Sequence, residues 1–226
     1  MPQTEQSVLP VSEQKIYMDM TSLCNTDFIS GIQRVVIEIT VRLLRMPFTV
    51  ILFTWKADED LLSVLSNEDF LKCYDEGSFG KRQIKKERTL TIYDIHNGDI
   101  LFDLDSVWDP RCHKREEILP QLDRRGVQIV TFIYDVLPIT HPEFWNTQKP
   151  IPEFESYIMT NLRHADTLIT SVNVTVKRLS MLTERYGTLL PCCAVSWLGS
   201  DFKANSNSGT VSKKARQVVS KGNTSS

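Results

Sequence analysis

Short apolar segments alternate along this chain with amphipathic helical segments, and this alternation limits the fold more than any other feature. The segment 127–134 (VQIVTFIY) is apolar and β-branched or aromatic, which is typical of a strand buried on both faces. Helical spacing precedes it at 114–125 and follows it at 153–164. Strands that alternate with helices through short links predict an α/β fold, with a Rossmann-like, mostly parallel sheet and helices on both faces.

The same two periodicities predict the remaining elements. Strands are expected at 15–20, 48–55, 99–104, 167–170 and 193–197, and helices at 32–46, 58–74 and 174–186. Pro47 ends the first helical pattern. The Gly- and Lys-rich segment 77–88 has no apolar periodicity, which predicts an exposed loop.

The composition divides the chain into a polar lead-in at 1–14, one Rossmann-like domain at 15–203 and a linker or tail at 204–226. The last segment is rich in Ser, Asn, Lys and Gly, and it has too little apolar surface to offset the entropy lost on ordering. Residues 203–226 carry five basic and no acidic side chains, so the rest of the chain is acidic.

Charge and cysteine content exclude several classes of protein. The net charge is -2, with 26 basic against 28 acidic residues, which argues against a nucleic-acid partner. The five cysteines show no C-x-x-C or zinc-type spacing, so we expect no metal site and reduced thiols in a cytoplasmic protein. No apolar run approaches the roughly 20 residues that span a bilayer.

Candidate binding residues cluster in the loops after the predicted strands, where α/β sheets bind ligands. In Ser30-Gly31-Ile32-Gln33-Arg34, Gly31 allows a close approach of backbone to ligand, the free helix amides favour an anion, and Arg34 adds a charge. A helix cap formed by Ser30 explains the same residues. One glycine stands where a dinucleotide fingerprint needs three, which disfavours a Rossmann oxidoreductase.

The segment 103–109 (DLDSVWD) suggests carbohydrate binding. Asp103 and Asp105 fall on the same side of an extended chain, and Trp108 lies close to both in sequence. A tryptophan beside carboxylates suits a sugar, because the indole ring covers the apolar face of the sugar while Asp105 and Ser106 accept hydrogen bonds from its hydroxyls. The alternative is structural: Asp and Ser cap the next turn, and Trp108 fills a gap in the core.

The segment 134–145 places three titratable groups in one loop after the best strand. His141 can donate to a phosphate or hydroxyl, Asp135 can orient an acceptor hydroxyl or act as a base, and Glu143 adds a second carboxylate. Pro138 and Pro142 restrict the loop. The alternative for His141 is an ordinary surface or capping residue.

Six motifs in this order resemble the amino-terminal half of bacterial retaining glycosyltransferases of family 4. They are Asp19-x-Thr21, Gly31-Ile32-Gln33-Arg34-Val35, Leu104-Asp105-Ser106-x-Trp108, Tyr134-Asp135-x-x-Pro138-x-x-His141-Pro142-Glu143-Phe144, Arg163-His164-Ala165-Asp166 and Leu198-Gly199-x-Asp201-Phe202. The resemblance implies one half of a GT-B architecture, in which two Rossmann-like domains face each other across a cleft. It also implies transfer of a mannose- or rhamnose-like sugar to a growing surface polysaccharide such as O-antigen.

The resemblance further implies roles for the candidate residues. Gly31 would lie near the donor phosphates, and Asp135 and His141 near the reacting sugar, as polar positioning groups rather than nucleophiles. Substrate contacts would come from Gly31, Gln33, Arg34, Asp105, Ser106, Trp108 and Glu143.

The family's paired-glutamate donor motif does not occur in this sequence, so we expect the chain to be inactive without a C-terminal donor-binding domain. This domain would bind no cofactor, and the full enzyme would use a GDP-, dTDP- or UDP-sugar. The expected acceptor is a carbohydrate or lipid-linked glycan at the inner face of the plasma membrane, where the basic tail offers a peripheral contact to anionic lipid. The alternative function is a non-catalytic carbohydrate-binding or scaffolding domain of the same fold.

Overall fold

The structure is a computed structural model that describes residues 14–26, 28–56, 59–79, 83–105, 107–108, 115–144 and 151–198, without the side chains of Lys56, Glu59, Asp60 and Ile151. Most of the polar lead-in and all of the tail expected at 204–226 lie outside these residues, as does Ser106. Within the described part no helix is long and apolar enough to cross a membrane.

Eight strands and seven α-helices make up the described fold. The strands are β1 (Lys15–Asp19), β2 (Thr49–Lys56), β3 (Glu59–Leu65), β4 (Lys86–Thr91), β5 (Ile100–Asp103), β6 (Gln128–Ile133), β7 (Thr167–Thr170) and β8 (Cys192–Val195). The helices are α1 (Thr21–Cys24), α2 (Gly31–Leu44), α3 (Asn67–Asp75), α4 (Arg115–Arg124), α5 (Leu137–Thr140), α6 (Ile151–His164) and α7 (Asn173–Tyr186). Short 3₁₀ turns occur at Ile92–Asp94 and Pro142–Phe144.

All eight strands form one sheet, in the order β4-β3-β2-β1-β5-β6-β7-β8. The six strands from β2 to β8 in this order pair in parallel, and β3 and β4 extend the sheet in antiparallel orientation beyond β2. In the register at the centre, Met18 of β1 lies opposite Leu52 of β2 and Phe102 of β5. The predicted Rossmann-like α/β fold with a mostly parallel sheet is therefore confirmed.

Each face of the sheet carries its own hydrophobic core, because side chains alternate along the strands. On one face Met18 and Leu52 pack with Val36 of α2 and Phe70 of α3. On the other face Tyr17 and Phe53 belong to a core that includes residues of α4, α6 and α7. Helices thus cover both faces of the central strands.

The prediction of a helix over 58–74 was wrong in its first half. Residues 59–65 form β3, which pairs antiparallel with β2, and only 67–75 form a helix. The leucines at positions 61, 62 and 65 also fit a helical period, but pairing with the open edge of β2 satisfies the backbone of this segment and buries Leu62 completely. Two-face burial of β2 was correct, although only one of its neighbours is parallel.

The prediction of an exposed loop over 77–88 was wrong at its end. Lys86–Thr91 forms β4, whose first four residues are exposed. Lys86, Glu87 and Arg88 give this strand no apolar periodicity, so the sequence pattern does not indicate it. Charged side chains are common on an edge strand because they discourage pairing with other chains.

Candidate functional site

The order of the strands places a crevice between β1 and β5. The chain moves from β1 outward to β2 on one side, and returns to place β5 on the other side of β1. At such a reversal the loops after the two strands diverge, which leaves a crevice at the carboxyl ends where α/β proteins bind ligands. Asp19 ends β1 and Asp103 ends β5, so both lie at this position.

A buried three-residue charge network joins the two strand ends. The Arg115 guanidinium donates to Asp103 through Nε at 2.6 Å and Nη2 at 2.9 Å, and to Asp19 through Nη2 at 2.7 Å. The three side chains are at most 1% exposed. Asp19 also accepts from the backbone amide of Thr21 at 2.8 Å. The network therefore fixes the positions at which both loops leave the sheet.

Arg115 is a permanent cation in this setting. Burial by itself would lower the pKa of its guanidinium, but the adjacent charges of Asp103 and Asp19 outweigh this effect and raise the pKa above its ordinary value. Paired charges of this kind are tolerated in a protein interior only when they are also hydrogen bonded. Asp19 and Asp103 lie in two separate candidate segments of the sequence, but nothing in the local pattern marks Arg115 as their partner.

A hollow of about 110 Å³ opens beside this network at the carboxyl edge of the sheet. The segment after β5, the end of β6 and the residues that follow it, the first turn of α2, α5 and one side of α6 line it. Residues that line this hollow include Asp105, Trp108, Asp135, Phe154 and Tyr157. Sites that enclose a whole small-molecule ligand typically measure about 300–1,000 Å³, so this hollow is smaller than such a site.

Aromatic side chains form one wall of the hollow. The half-buried Trp108 ring meets the Phe154 ring edge-on, with centroids 5.4 Å apart and an angle of 86° between the planes. Phe154 in turn lies 6.2 Å from Tyr157, and both are buried in α6. Trp108 thus packs against the core, as the structural alternative predicts, and it also lines the hollow.

Asp105 supplies a buried carboxylate to the hollow and is 2% exposed. It accepts a hydrogen bond from Nε2 of Gln33 at 3.3 Å, whereas Asp103 binds Arg115. Tyr134 lies nearby and donates to the carbonyl of Leu104 at 2.9 Å. Burial, and next the charge of Asp105, raise the pKa of the Tyr134 phenol, which keeps it a neutral donor.

Asp135 supplies the second carboxylate that lines the hollow. It follows β6 and accepts from the backbone amide of Leu137, the first residue of α5, at 2.9 Å. Its side chain makes no other hydrogen bond among the described residues. One hydrogen bond of this carboxylate therefore stabilises the loop, and its other acceptor positions make no hydrogen bond to the described residues.

The start of α2 is a capping box. The amide nitrogen of Gln33 donates to Ser30 Oγ at 3.4 Å, while Gln33 Oε1 accepts from the Ser30 amide at 3.1 Å and from the Ser30 hydroxyl. Gln33 lies behind Asp105 and does not line the hollow, but Ile32 of the same turn does. Arg34 is exposed, and a Cβ at Gly31 would meet nothing within 4 Å.

His141 and Glu143 lie outside the lining of the hollow. His141 Nδ1 and Glu143 Oε1 are 3.1 Å apart on the exposed loop beside it, and the His141 ring is 5.6 Å from that of Phe144. A hydrogen bond from its own backbone amide, followed by one from His141, lowers the pKa of the Glu143 carboxyl. The pair is thus a hydrogen-bonded contact at the surface, and neither residue lines the hollow.

The structure brings Asp105, Trp108 and Asp135 into one hollow and connects Gln33 to it through Asp105. Gly31 and Arg34 lie in the adjoining helical turn, while Ser106 lies outside the described residues. Sequence reasoning missed Phe154 and Tyr157, because they appear only as the apolar side of an amphipathic helix. The described part contains no group of three or more His, Cys, Asp or Glu side chains arranged to hold a metal ion.

No model of a known protein family matches the chain, and no curated protein sequence matches it.

Proposed function

We propose that this chain is the acceptor-side domain of a retaining, sugar-nucleotide-dependent glycosyltransferase with GT-B architecture. The observation that carries the proposal is the meeting of Trp108, Asp105 and Asp135 in one hollow at the strand-order reversal. An aromatic ring beside two carboxylates matches a sugar, which has an apolar face and several hydroxyl donors. The ordered motifs between Asp19 and Phe202 add the family resemblance.

In this proposal the hollow holds one ring of the acceptor. Trp108 covers the apolar face of the ring, and Asp105 and Asp135 accept hydrogen bonds from its hydroxyls. Asp135 orients the acceptor hydroxyl, whose oxygen bonds to the anomeric carbon of the donor sugar as the bond from that carbon to the diphosphate breaks. The nucleoside diphosphate takes up the hydroxyl proton and leaves toward a second, donor-binding domain. The GDP-, dTDP- or UDP-sugar is a substrate of that domain, and the mannose- or rhamnose-like product extends a surface polysaccharide at the cytoplasmic side of the membrane.

The charge of the hollow further narrows the acceptor. Two carboxylates line it, and no cationic side chain does so among the described residues. Among the described residues Arg115 is the nearest buried cation, and it is bound to Asp103 and Asp19. The two carboxylates of the hollow therefore favour a neutral or amino sugar over a uronic acid, whose negative charge they would repel.

Sugar binding tests this part of the proposal. Saturation-transfer NMR with the chain should detect methyl α-D-mannopyranoside and methyl α-D-glucosaminide but not methyl α-D-glucuronide at equal concentration. Trp108→Ala should reduce the signal at least about tenfold, while Trp197→Ala is the matched control because Trp197 is 73% exposed and outside the hollow. No binding of any sugar by the wild type, or equal loss in both variants, would refute it.

Transfer assays test the catalytic part. The natural full-length protein should transfer labelled sugar from one of the GDP-, dTDP- or UDP-sugars to a lipid-linked acceptor. Asp135→Ala and His141→Ala should each be measured, and turnover like that of the wild type in both would remove these residues from the reaction.

The second candidate function is a carbohydrate-binding or scaffolding domain without catalysis. The position of His141 and Glu143 favours it, since these titratable groups lie outside the hollow and pair with each other. Sugar binding without transfer from any of the three classes of donor would select this function.

A further inference from the structure

Gln33 occupies a position from which it acts on two parts of the molecule at once. Its Oε1 completes the capping box with Ser30, and its Nε2 donates to Asp105 at 3.3 Å. Gln33 and Asp105 are 72 residues apart in sequence, one after β1 and the other after β5. This contact therefore crosses the crevice at the strand-order reversal.

The capping box allows only one orientation of the Gln33 amide. In the observed orientation Oε1 accepts from the Ser30 amide, so the donor end of the side chain faces the carboxylate of Asp105. A flipped amide would place its NH₂ against the Ser30 N–H and its oxygen against the carboxylate, which are two unfavourable contacts. Ser30 therefore determines which end of the Gln33 amide faces Asp105.

The cap alone does not require a glutamine. Glu serves equally well at this position of a capping box, and the 3₁₀ turn at Ile92–Asp94 is capped by Thr91 with a carboxylate, that of Asp94. A carboxylate at position 33 would retain the cap but would face Asp105 with a like charge. The donor end of Gln33 thus has a use beyond the helix start.

We propose that Ser30 and Gln33 are positioning residues for the hollow: through the fixed Gln33 amide they set the orientation and the ionised state of Asp105. The effect on ligand binding rests on the function proposed above, whereas the effect on Asp105 does not. Gln33 is 7% and Asp105 2% exposed, so the hydrogen bond between them is little weakened by water. Among the described residues, the charge of Asp105 acts on the titratable groups of Cys24 and Tyr134, and Asp135 lines the same hollow.

Carboxyl ¹³C NMR of Asp105 across a pH titration tests this without any ligand. Gln33→Glu keeps the capping box and should raise the titration midpoint of the Asp105 carboxyl by about 1–3 pH units, since two adjacent carboxylates share a proton. Gln33→Met removes the donor without adding charge and should raise the midpoint by a smaller amount. An unchanged midpoint in Gln33→Met would overturn the proposal even if Gln33→Glu fails to fold.

Matched cap variants separate positioning from helix stability. Ser30→Ala and Ser66→Ala each remove a serine N-cap, of α2 and α3 respectively, and both should lower stability. Ser30→Ala keeps the backbone N–H that donates to Gln33 Oε1 but removes the hydroxyl that also donates to it, so it should move the titration midpoint of Asp105 by less than Gln33→Met does. Ser66→Ala should not move this midpoint. Equal effects of the two variants on this carboxyl would contradict a specific role for Ser30.

Binding of methyl α-D-mannopyranoside provides the functional readout. In the wild type the affinity should fall as pH is lowered through the Asp105 midpoint, and in Gln33→Glu the same fall should occur at a higher pH. A midpoint that moves in Gln33→Glu while the pH profile of binding does not would refute the link to the ligand. Absence of sugar binding in the wild type would instead refute the proposed function and leave the titration of Asp105 as the test of positioning.

Discussion

Replacing Arg115 by methionine should destabilise the domain more than any surface substitution. The change removes all three short hydrogen bonds to Asp103 and Asp19 and leaves two carboxylates that are completely buried without their cation. Breaking a buried ion pair from one side costs about 3–5 kcal/mol. Domains are typically stable by about 5–15 kcal/mol, so a large part of the total is lost. Urea unfolding followed by circular dichroism measures the difference.

The loss of stability in Arg115→Met should depend on pH. In the wild type, burial already raises the pKa of the Asp103 carboxyl, and the charge and hydrogen bonds of Arg115 oppose this rise. Without Arg115 the folded-state pKa of Asp103 therefore lies further above the value of about 3.9 in the unfolded chain. The folded variant binds more protons than the unfolded one, and its stability falls as pH rises through this raised pKa. The deficit relative to the wild type should accordingly be smaller at pH 5 than at pH 7.

An exposed ion pair of the same chemical type is the control. Arg45 and Asp75 are 3.3 Å apart, with side chains 56% and 65% exposed. Arg45→Met should change the unfolding free energy by no more than about 1 kcal/mol, with little dependence on pH. A loss below about 1 kcal/mol in Arg115→Met, or equal losses in both variants, would show that the buried network does not hold the strand ends together.

Three further predictions concern glycines and a cysteine. Gly31→Ala should raise stability by about 0.4–1 kcal/mol, because the space for a Cβ is open and α2 is helical there, yet it should slow sugar transfer if the Gly31 backbone approaches the donor. Gly126→Ala should lower the thermal midpoint, at a cost of about 1–2 kcal/mol, since Gly126 has φ +75° and a Cβ would lie 2.4 Å from Asn97 Oδ1. Cys24 is exposed at its surface, but desolvation by the surrounding protein, and next the charges of Asp19 and Asp105, raise the pKa of its thiol. Alkylation of Cys24 by iodoacetamide at pH 8 should therefore be slow, and Asp105→Asn should accelerate it; an unchanged rate by mass spectrometry would contradict this electrostatic effect.

The candidate site was only partly predictable from the sequence. Asp105, Trp108 and Asp135 were identified because they follow apolar strands, and parallel strands end at a common edge of the sheet. The same reasoning placed His141 with them, but the loop after α5 turns this side chain toward Glu143 on the surface. A few residues beyond a strand end, side-chain direction depends on loop conformation, which periodicity does not report.

The sequence by itself determined the α/β class, since the buried strand 127–134 and the amphipathic helices around it have periods that only one arrangement of layers satisfies. Only the tertiary structure decided the rest. Residues 59–65 became a strand because the edge of β2 offered hydrogen bonds, although their leucines also fit a helix. Arg115 and the donor end of Gln33 acquired their roles from carboxylates distant in sequence. Local patterns depend on near neighbours, whereas these contacts exist only after folding joins the two strand ends.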